Sequence, residues 1–282
     1  MNIVYLNGEF VEKDQASVSI FDRGLLFGDA VYEVIPYFNG HALGVVAHLE
    51  RLNQSLKDIH MKPALNHDEW IEVFEQLVAR NQPKDGLYSI YLQVTRGHTT
   101  ARHHAIPTTL QPTVFAFLVL HHPLDKKQGY RAITLPDQRH GISHIKSTNL
   151  MANILAFEQA KKANAIEAIL YRGEHVIECT CSNVFMVKNR CVYTPPLQPF
   201  MLAGITRRIT IDIVQQNRLE LKEQPILLQE LKQADEIWIT SSTKTLLPIV
   251  FLDDRPINNG TPGELTVLLQ NKFDEYINNK EH

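Results

Sequence analysis

Lys146, in the stretch HGISHIKSTNLMANILAFEQA, has the setting of an amine placed to react. It closes a short β-like run containing Ile142 and Ile145. It stands just before a helix for which Ser147, Thr148 and Asn149 are the expected cap residues. Leu150, Ile154, Leu155 and Phe157 give that helix an apolar face. A side chain that starts at a strand-to-helix junction can point into a cleft instead of lying along the surface. An ammonium partly removed from water gives up its proton more readily, and the neutral amine that remains can attack an aldehyde. That is what a Schiff-base lysine needs. From this segment alone, a surface lysine in a turn is the plainer and favoured reading.

The elements that must position such a group alternate between β-like and helical runs, without internal repeats. NIVYLNGEFV predicts a hairpin about Asn7-Gly8, and YEVIPYFNGHAL another about Asn39-Gly40. Leu49, Leu52, Leu56 and Ile59 recur at three and four, the spacing of an amphipathic helix. A second helix is expected over residues 67–81, then strands over 87–96 and 113–120. HHPLDKKQG (121–129) is polar and broken by Pro123 and Gly129, so it serves as a linker. Beyond it come the Lys146 helix, strands between 167 and 193, a helix opened by Gly204, strands at 236–241 and 246–252, and a closing helix over 263–278. The expected organisation is a mixed α/β (α+β) fold with a small N-terminal domain (1–120), the linker and a larger C-terminal domain (130–282). No G-x-G-x-x-G opens a helix, which argues against a Rossmann domain.

Composition adds limits. The 282 residues are 44% hydrophobic, enough for a large core split between two domains. A formal net charge of -3 gives no reason to expect nucleic acid or an anionic membrane as partner. No run is long or apolar enough to span a bilayer, and the start MNIVYLNGEF lacks the regions of a signal peptide, so a cytoplasmic protein is expected. Cys179, Cys181 and Cys191 are too few for a disulfide framework. Cys179 and Cys181, two apart in a β-like run, should face one side of a strand as reduced, partly buried thiols. They lack the second ligand pair of a zinc site.

Five segments together resemble one family. FDRGLLFGDAVYEV (21–34), HLERL (48–52), IKSTNL (145–150), VIECTCSNVF (176–185) and LAGITRR (202–208) are similar, in order and spacing, to motifs of the D-amino acid aminotransferases. These belong to the fold type IV group of pyridoxal 5'-phosphate enzymes, which also holds branched-chain aminotransferases and aminodeoxychorismate lyases. The resemblance spans the chain almost end to end. It implies a two-domain type IV fold with the cofactor in the cleft between domains, and a homodimer with shared active sites.

The resemblance also implies roles. Lys146 is the catalytic, cofactor-bearing lysine. Glu178 is the carboxylate that keeps the pyridine nitrogen protonated; without the resemblance it reads as a solvated glutamate at a strand end. Arg51 supplies a charged fork to the phosphate, and the Gly204-Ile205-Thr206 turn opens a helix whose N–H groups favour an anion. Ser241 and Ser242 are further hydroxyl donors. Standing alone, Arg51 reads as a helix-surface arginine and the serines as an ordinary turn. In TRGHTTARHHAIP, Arg102 and His104 look like the α-carboxylate trap of D-amino acid aminotransferases, on a loop that reaches into the partner subunit's site, with Tyr32 helping to bind the same carboxylate. A solvated basic turn is the plain alternative. A metal site using His98, His103 and His104 is a second, although adjacent histidines are poor joint ligands for one tetrahedral ion, and no metal is expected.

Two departures stand out. Cys179-Thr180-Cys181 replaces a serine-rich stretch, and the loop before Arg102 is one residue longer than in the best-known bacterial members. The implied activity is transfer of an amino group between a D-amino acid, usually D-alanine, and a 2-oxo acid, usually 2-oxoglutarate. The rival within the fold is aminodeoxychorismate lyase, which releases pyruvate and 4-aminobenzoate. A branched-chain or amine aminotransferase and a non-catalytic pyridoxal phosphate-binding homologue are further alternatives.

Overall fold

The computed structural model describes residues 1–38, 40–84 and 86–279, which fall into two compact units. The first comprises Met1–His122 together with Ile145–Asn149. It opens with β1 (Ile3–Leu6) and β2 (Glu9–Glu12), joined by Asn7 and Gly8 at φ of 50° and 98°. Two successive positive φ values are what a tight hairpin turn requires, as the Asn-Gly pair predicts. Next come α1 (Arg23–Phe27), β3 (Ala30–Phe38), β4 (His41–Ala42), α2 (Val45–Asp58), α3 (His67–Asn81), β5 (Leu87–Thr95) and β6 (Thr113–His121). The strands form one antiparallel sheet in the order β2-β1-β6-β5-β3-β4. β3 and β4 pair through Phe38↔His41, while Asn39 of the expected Asn39-Gly40 turn lies outside the described residues.

The helices follow their sequence periods. Leu49, Leu52 and Leu56 of α2 are each at most 1% exposed and pack with Trp70, Phe74 and Leu77 of α3 and with Val31, Ile35, Ile90 and Leu92 of the sheet. Ile59, the fourth member of the α2 stripe, sits at the C-cap and packs at the margin of this core. A reciprocal cap starts α3: Asn66 Oδ1 accepts from Glu69 N at 3.0 Å, and Glu69 Oε2 accepts from Asn66 N at 2.6 Å.

The second unit comprises Pro123–His144 and the chain from Leu150 onward. Its elements are β7 (Tyr130–Pro136), α4 (Met151–Lys162), β8 (Glu167–Arg172), β9 (His175–Cys179), β10 (Asn183–Lys188), β11 (Cys191–Thr194), α5 (Ile205–Gln216), β12 (Leu221–Glu223), α6 (Leu228–Leu231), β13 (Glu236–Ser241), β14 (Thr245–Leu252), β15 (Arg255–Pro256) and α7 (Glu264–Asn278). The sheet runs β12-β11-β10-β13-β14-β7-β8-β9, with β15 paired to β14. Its β14-β7 and β7-β8 pairs are parallel and β8-β9 is antiparallel. Ile169, Val184, Ile237, Ile239, Leu247 and Ile249 fill its core, and Phe185 stacks on Trp238 at 5.5 Å. No helix among the described residues is long and apolar enough to cross a membrane.

Four local expectations are corrected. Ile145–Asn149, expected in the C-terminal half, clusters with the first unit, because Tyr32 N donates to Lys146 O (3.0 Å) and Thr148 N to Ala30 O (3.1 Å). Ser147, Thr148 and Asn149 do not cap α4, whose N-cap is Leu150 without a side-chain bond. Thr148 and Asn149 instead donate to Gly28 O, at 3.4 and 3.2 Å. The apolar face expected for α4 is largely outward, with Ile154 and Leu155 at 55% and 56% exposure and Ala160 the buried residue. Finally, Cys179 and Cys181 do not share a strand face. β9 ends at Cys179, which is buried, and the chain turns so that Cys179 N donates to Ser182 O at 2.7 Å and leaves Cys181 exposed.

Candidate active site

In the first unit Lys146 hangs from the edge of β3. The segment that carries it makes a single bridge, Val31↔Ser147, and Lys146 N also donates to Ser55 Oγ of α2 at 3.3 Å. Ile145, 9% exposed, anchors the segment in the core. The side chain of Lys146 is therefore fixed at its base, half-buried, with Nζ 4.3 Å from the centroid of the Tyr32 ring. Tyr32 stacks in turn on Tyr91 at 5.7 Å. Burial, with Tyr32 adding to it, pushes the Tyr91 phenol up to about 12, so Tyr91 acts as a neutral donor, here to Gln93 Oε1 at 2.6 Å. Gly28, at φ 66°, ends α1 beneath this segment, and a Cβ there would lie 2.3 Å from Asn149 Oδ1.

Arg51 sends Nε and Nη2 to the two oxygens of Glu33, at 2.8 and 2.7 Å. Glu33 is fully buried and also meets His48 Nδ1 at 2.7 Å. Burial alone would raise the Glu33 carboxyl, but Arg51 and His48 outweigh it and hold the group well below the usual carboxylate range. The expected phosphate arginine is thus held by Glu33, an acid of β3 that lies in the same 21–34 segment as Tyr32 but has no expected role.

Arg102 and His104 lie exposed on the loop between β5 and β6, both against the Phe27 ring: the Arg102 guanidinium at 4.8 Å and the His104 ring at 5.2 Å. The loop backbone is gripped by Arg23, 4% exposed, a residue without an expected role although it lies in the same N-terminal segment as Tyr32.

In the second unit Glu178 sits on β9, 4% exposed. Arg139 Nη1 pairs with Oε1, Leu202 N donates to both oxygens at 3.1 and 3.2 Å, and Asn183 Nδ2 donates to Oε2 at 3.1 Å. Burial still dominates: it pushes Glu178 up to about 7, against Arg139 and the Leu202 amide, which pull down. Arg139 is itself set by Asp137, which accepts from its Nε at 2.9 Å. Neither Arg139 nor Asn183 is expected from sequence. An ion pair across 39 positions leaves no local pattern.

Gly204 is the N-cap of α5, with no side-chain cap, and Ile205 and Thr206 form the first turn. A Cβ on Gly204 would fall 2.0 Å from Asn183 Oδ1, so only glycine brings the backbone this close. An uncapped helix start of this kind favours an anion. Ser241 and Ser242 are half-buried at the end of β13, where Ser241 Oγ accepts from Lys244 N at 3.2 Å. Within and just after the Cys179-Thr180-Cys181 departure, Thr180, Cys181 and Ser182 all direct their side chains to Glu167, the last two at 3.0 Å each, and Lys244 Nζ completes the cluster at 2.9 Å. Although burial pushes Glu167 up, Lys244 and the hydroxyl and thiol donors hold it below the usual range.

The first unit thus offers a half-buried amine suited to an aldehyde, and the second, by itself, a buried carboxyl suited to a ring nitrogen that must stay protonated and a helix start kept open by glycine that suits a phosphate. The comparisons agree with this chemistry. A sequence model of the family described as Amino-transferase class IV matches residues 30–251. The chain is similar to a D-alanine aminotransferase of Staphylococcus aureus (strain N315), 39% identical over 280 residues that cover 98% of each chain. It is also similar to one of Listeria monocytogenes (serotype 1/2a, strain 10403S), 38% identical with 97% and 96% covered. Among solved structures, the branched-chain aminotransferase of Thermoproteus uzoniensis with norvaline superposes at a TM-score of 0.88, with 25% identity and 99% and 96% of the chains covered. The branched-chain amino acid aminotransferase of Escherichia coli has the same fold, at a TM-score of 0.87 and 21% identity, with 97% and 93% covered.

Proposed function

Because the chain belongs to the class IV aminotransferases, we propose that it moves an amino group between a D-amino acid and a 2-oxo acid, with D-alanine and 2-oxoglutarate as the working pair. The observation that carries this reading is end-to-end likeness to proteins named D-alanine aminotransferase, 39% identical over 98% of the chain. Pyridoxal phosphate is the cofactor, and when bound it supplies the electron sink that lets a Cα–H bond break.

The chain's own residues divide the remaining work. Lys146 Nζ binds the cofactor covalently and carries the proton taken from the substrate Cα. Glu178 holds the ring nitrogen's proton; a buried carboxyl that burial pushes up to about 7 gains most from a cationic partner. The first-turn amides of Gly204, Ile205 and Thr206 and the hydroxyls of Ser241 and Ser242 bind the phosphate, with Arg51, fixed by Glu33, adding positive charge. Arg102, His104 and Tyr32 orient the α-carboxylate.

Large apolar side chains left in water support a second copy of the chain as the partner. Val18, Ile20 and Leu25 of the first unit are 48%, 70% and 65% exposed, and Met151, Ile154 and Leu155 of the second are 69%, 55% and 56% exposed. Three unpaired cysteines are in keeping with a reducing, cytoplasmic setting.

The deciding experiment offers the purified holoenzyme D-alanine, L-leucine and aminodeoxychorismate separately. Conversion of the cofactor spectrum by D-alanine, with pyruvate formed only when an amino group is transferred, is expected. Rapid pyruvate release from aminodeoxychorismate without conversion by D-alanine would replace this reading with the lyase.

A further inference from the structure

The short helix α1 and the loop that carries Arg102 and His104 are bound together more tightly than their separation in sequence suggests. Arg23 Nε pairs with Asp29 Oδ2 at 2.8 Å, and Arg96 Nε meets the same oxygen at 2.7 Å while its Nη2 donates to Ile59 O at 2.6 Å. With its Nε so fixed, Arg23 turns Nη1 to His103 O (2.8 Å) and Ala105 O (3.3 Å), and Nη2 to His104 O (3.3 Å). One rigid guanidinium thereby orients three consecutive carbonyls. Asp22 anchors the base of the same arrangement. It caps α1 through Gly24 N at 2.7 Å and accepts from Thr95 and Thr113, at the two ends of the loop, at 2.9 and 2.6 Å. Above this base, the Phe27 ring carries the guanidinia of both Arg23 and Arg102 at 4.8 Å, and the His104 ring at 5.2 Å.

We propose that Arg23 and Phe27 are positioning residues for the substrate carboxylate: Arg23 sets the backbone at 103–105, and Phe27 sets the direction of the Arg102 and His104 side chains. The proposal rests on the reading that Arg102 and His104 take that carboxylate. An arginine on an exposed loop must surrender much rotamer freedom to bind an anion bidentately. A ring face that already holds the guanidinium plane removes part of that loss before substrate arrives. A lysine at position 23 keeps one positive charge but lacks the fork that reaches Asp29 and three carbonyls together.

The test uses the full-length holoenzyme and four variants, Phe27→Leu, Arg23→Lys, Arg102→Ala and the double variant Phe27→Leu/Arg102→Ala. It reads KM and kcat for D-alanine, the cofactor absorbance and the melting temperature. Phe27→Leu and Arg23→Lys each raise KM about tenfold with kcat within about threefold and the cofactor spectrum unchanged. In the Arg102→Ala background, Phe27→Leu adds little further, because the group through which it acts is gone. An equal effect of Phe27→Leu in both backgrounds overturns the proposal. So does an effect that falls on kcat or cofactor absorbance instead of KM, or no KM change beside a large one for Arg102→Ala. An unchanged KM for Arg102→Ala would instead remove the carboxylate reading on which the proposal stands. Should Arg23→Lys fail to fold, the half-buried Phe27 position decides alone.

Discussion

At the scale of single residues, the two groups that matter most differ in how they are held. Lys146 is fixed by its backbone and Glu178 by its side chain. If Lys146 is the attachment point, borohydride reduction of the holoenzyme followed by peptide mapping labels it. The informative competitor is Lys244, a second amine with little exposure that is already paired with Glu167 at 2.9 Å. A label there would move the site. For Glu178, a folded-state value of about 7 against an ordinary 4.5 means that the folded chain keeps a proton which the unfolded chain has lost. The stability tied to that proton is full below 4.5 and is lost as pH rises through about 7. Relative to Glu178→Gln, the cofactor-free wild type should therefore lose about 2 kcal/mol between about pH 5 and about pH 8 in denaturant titrations. A flat difference would mean that Arg139 keeps the carboxylate charged throughout. In the holoenzyme the same substitution should retain the cofactor and lower kcat on the order of 100-fold, since an amide cannot hold the ring proton.

At the scale of elements, the start of α5 joins the two demands placed on the second unit. A Cβ on Gly204 would displace Asn183, whose Nδ2 bridges Glu178 Oε2 and Leu202 O at 3.1 and 3.0 Å. Gly204→Ala is expected to cost about 2 kcal/mol of stability and to weaken pyridoxal phosphate binding, measured by absorbance titration. A variant of unchanged affinity would show that the phosphate does not use this turn. The elements themselves were largely legible. Leu49, Leu52 and Leu56 announce α2 by spacing, and Asn7-Gly8 announces its hairpin as a pair well suited to two positive φ values. What misled was chemistry with two equal outlets. Ser, Thr and Asn before an apolar run satisfy a helix start or a distant carbonyl equally well, and Thr148 and Asn149 chose Gly28 O. The same limit hid the supports of the site. Arg139 lies outside every family-like segment, and Arg23 and Asn183, although inside the 21–34 and 176–185 segments, act through partners that share no periodic relation with them.

At the scale of the whole molecule, the outward apolar residues predict a dimer. Light scattering or sedimentation should give twice the chain mass, and Ile154→Asp with Leu155→Asp should shift the population toward monomer without unfolding it. A wild type that stays monomeric at micromolar concentration would leave these side chains without the partner assigned to them. The membership of Ile145–Asn149 in the first unit has a temporal meaning as well. During synthesis the ribosome delivers Met1–His122 first, then Pro123–His144, which belongs to the other unit, and only afterwards the five residues that complete the first sheet's surroundings. A nascent chain released after β6 would hold the first unit's main body without Ile145 in its core and without the amine on Lys146. The first unit is therefore complete only once Ile145–Asn149 have been made, and its acquisition of Lys146 waits on chain made after the second unit has begun.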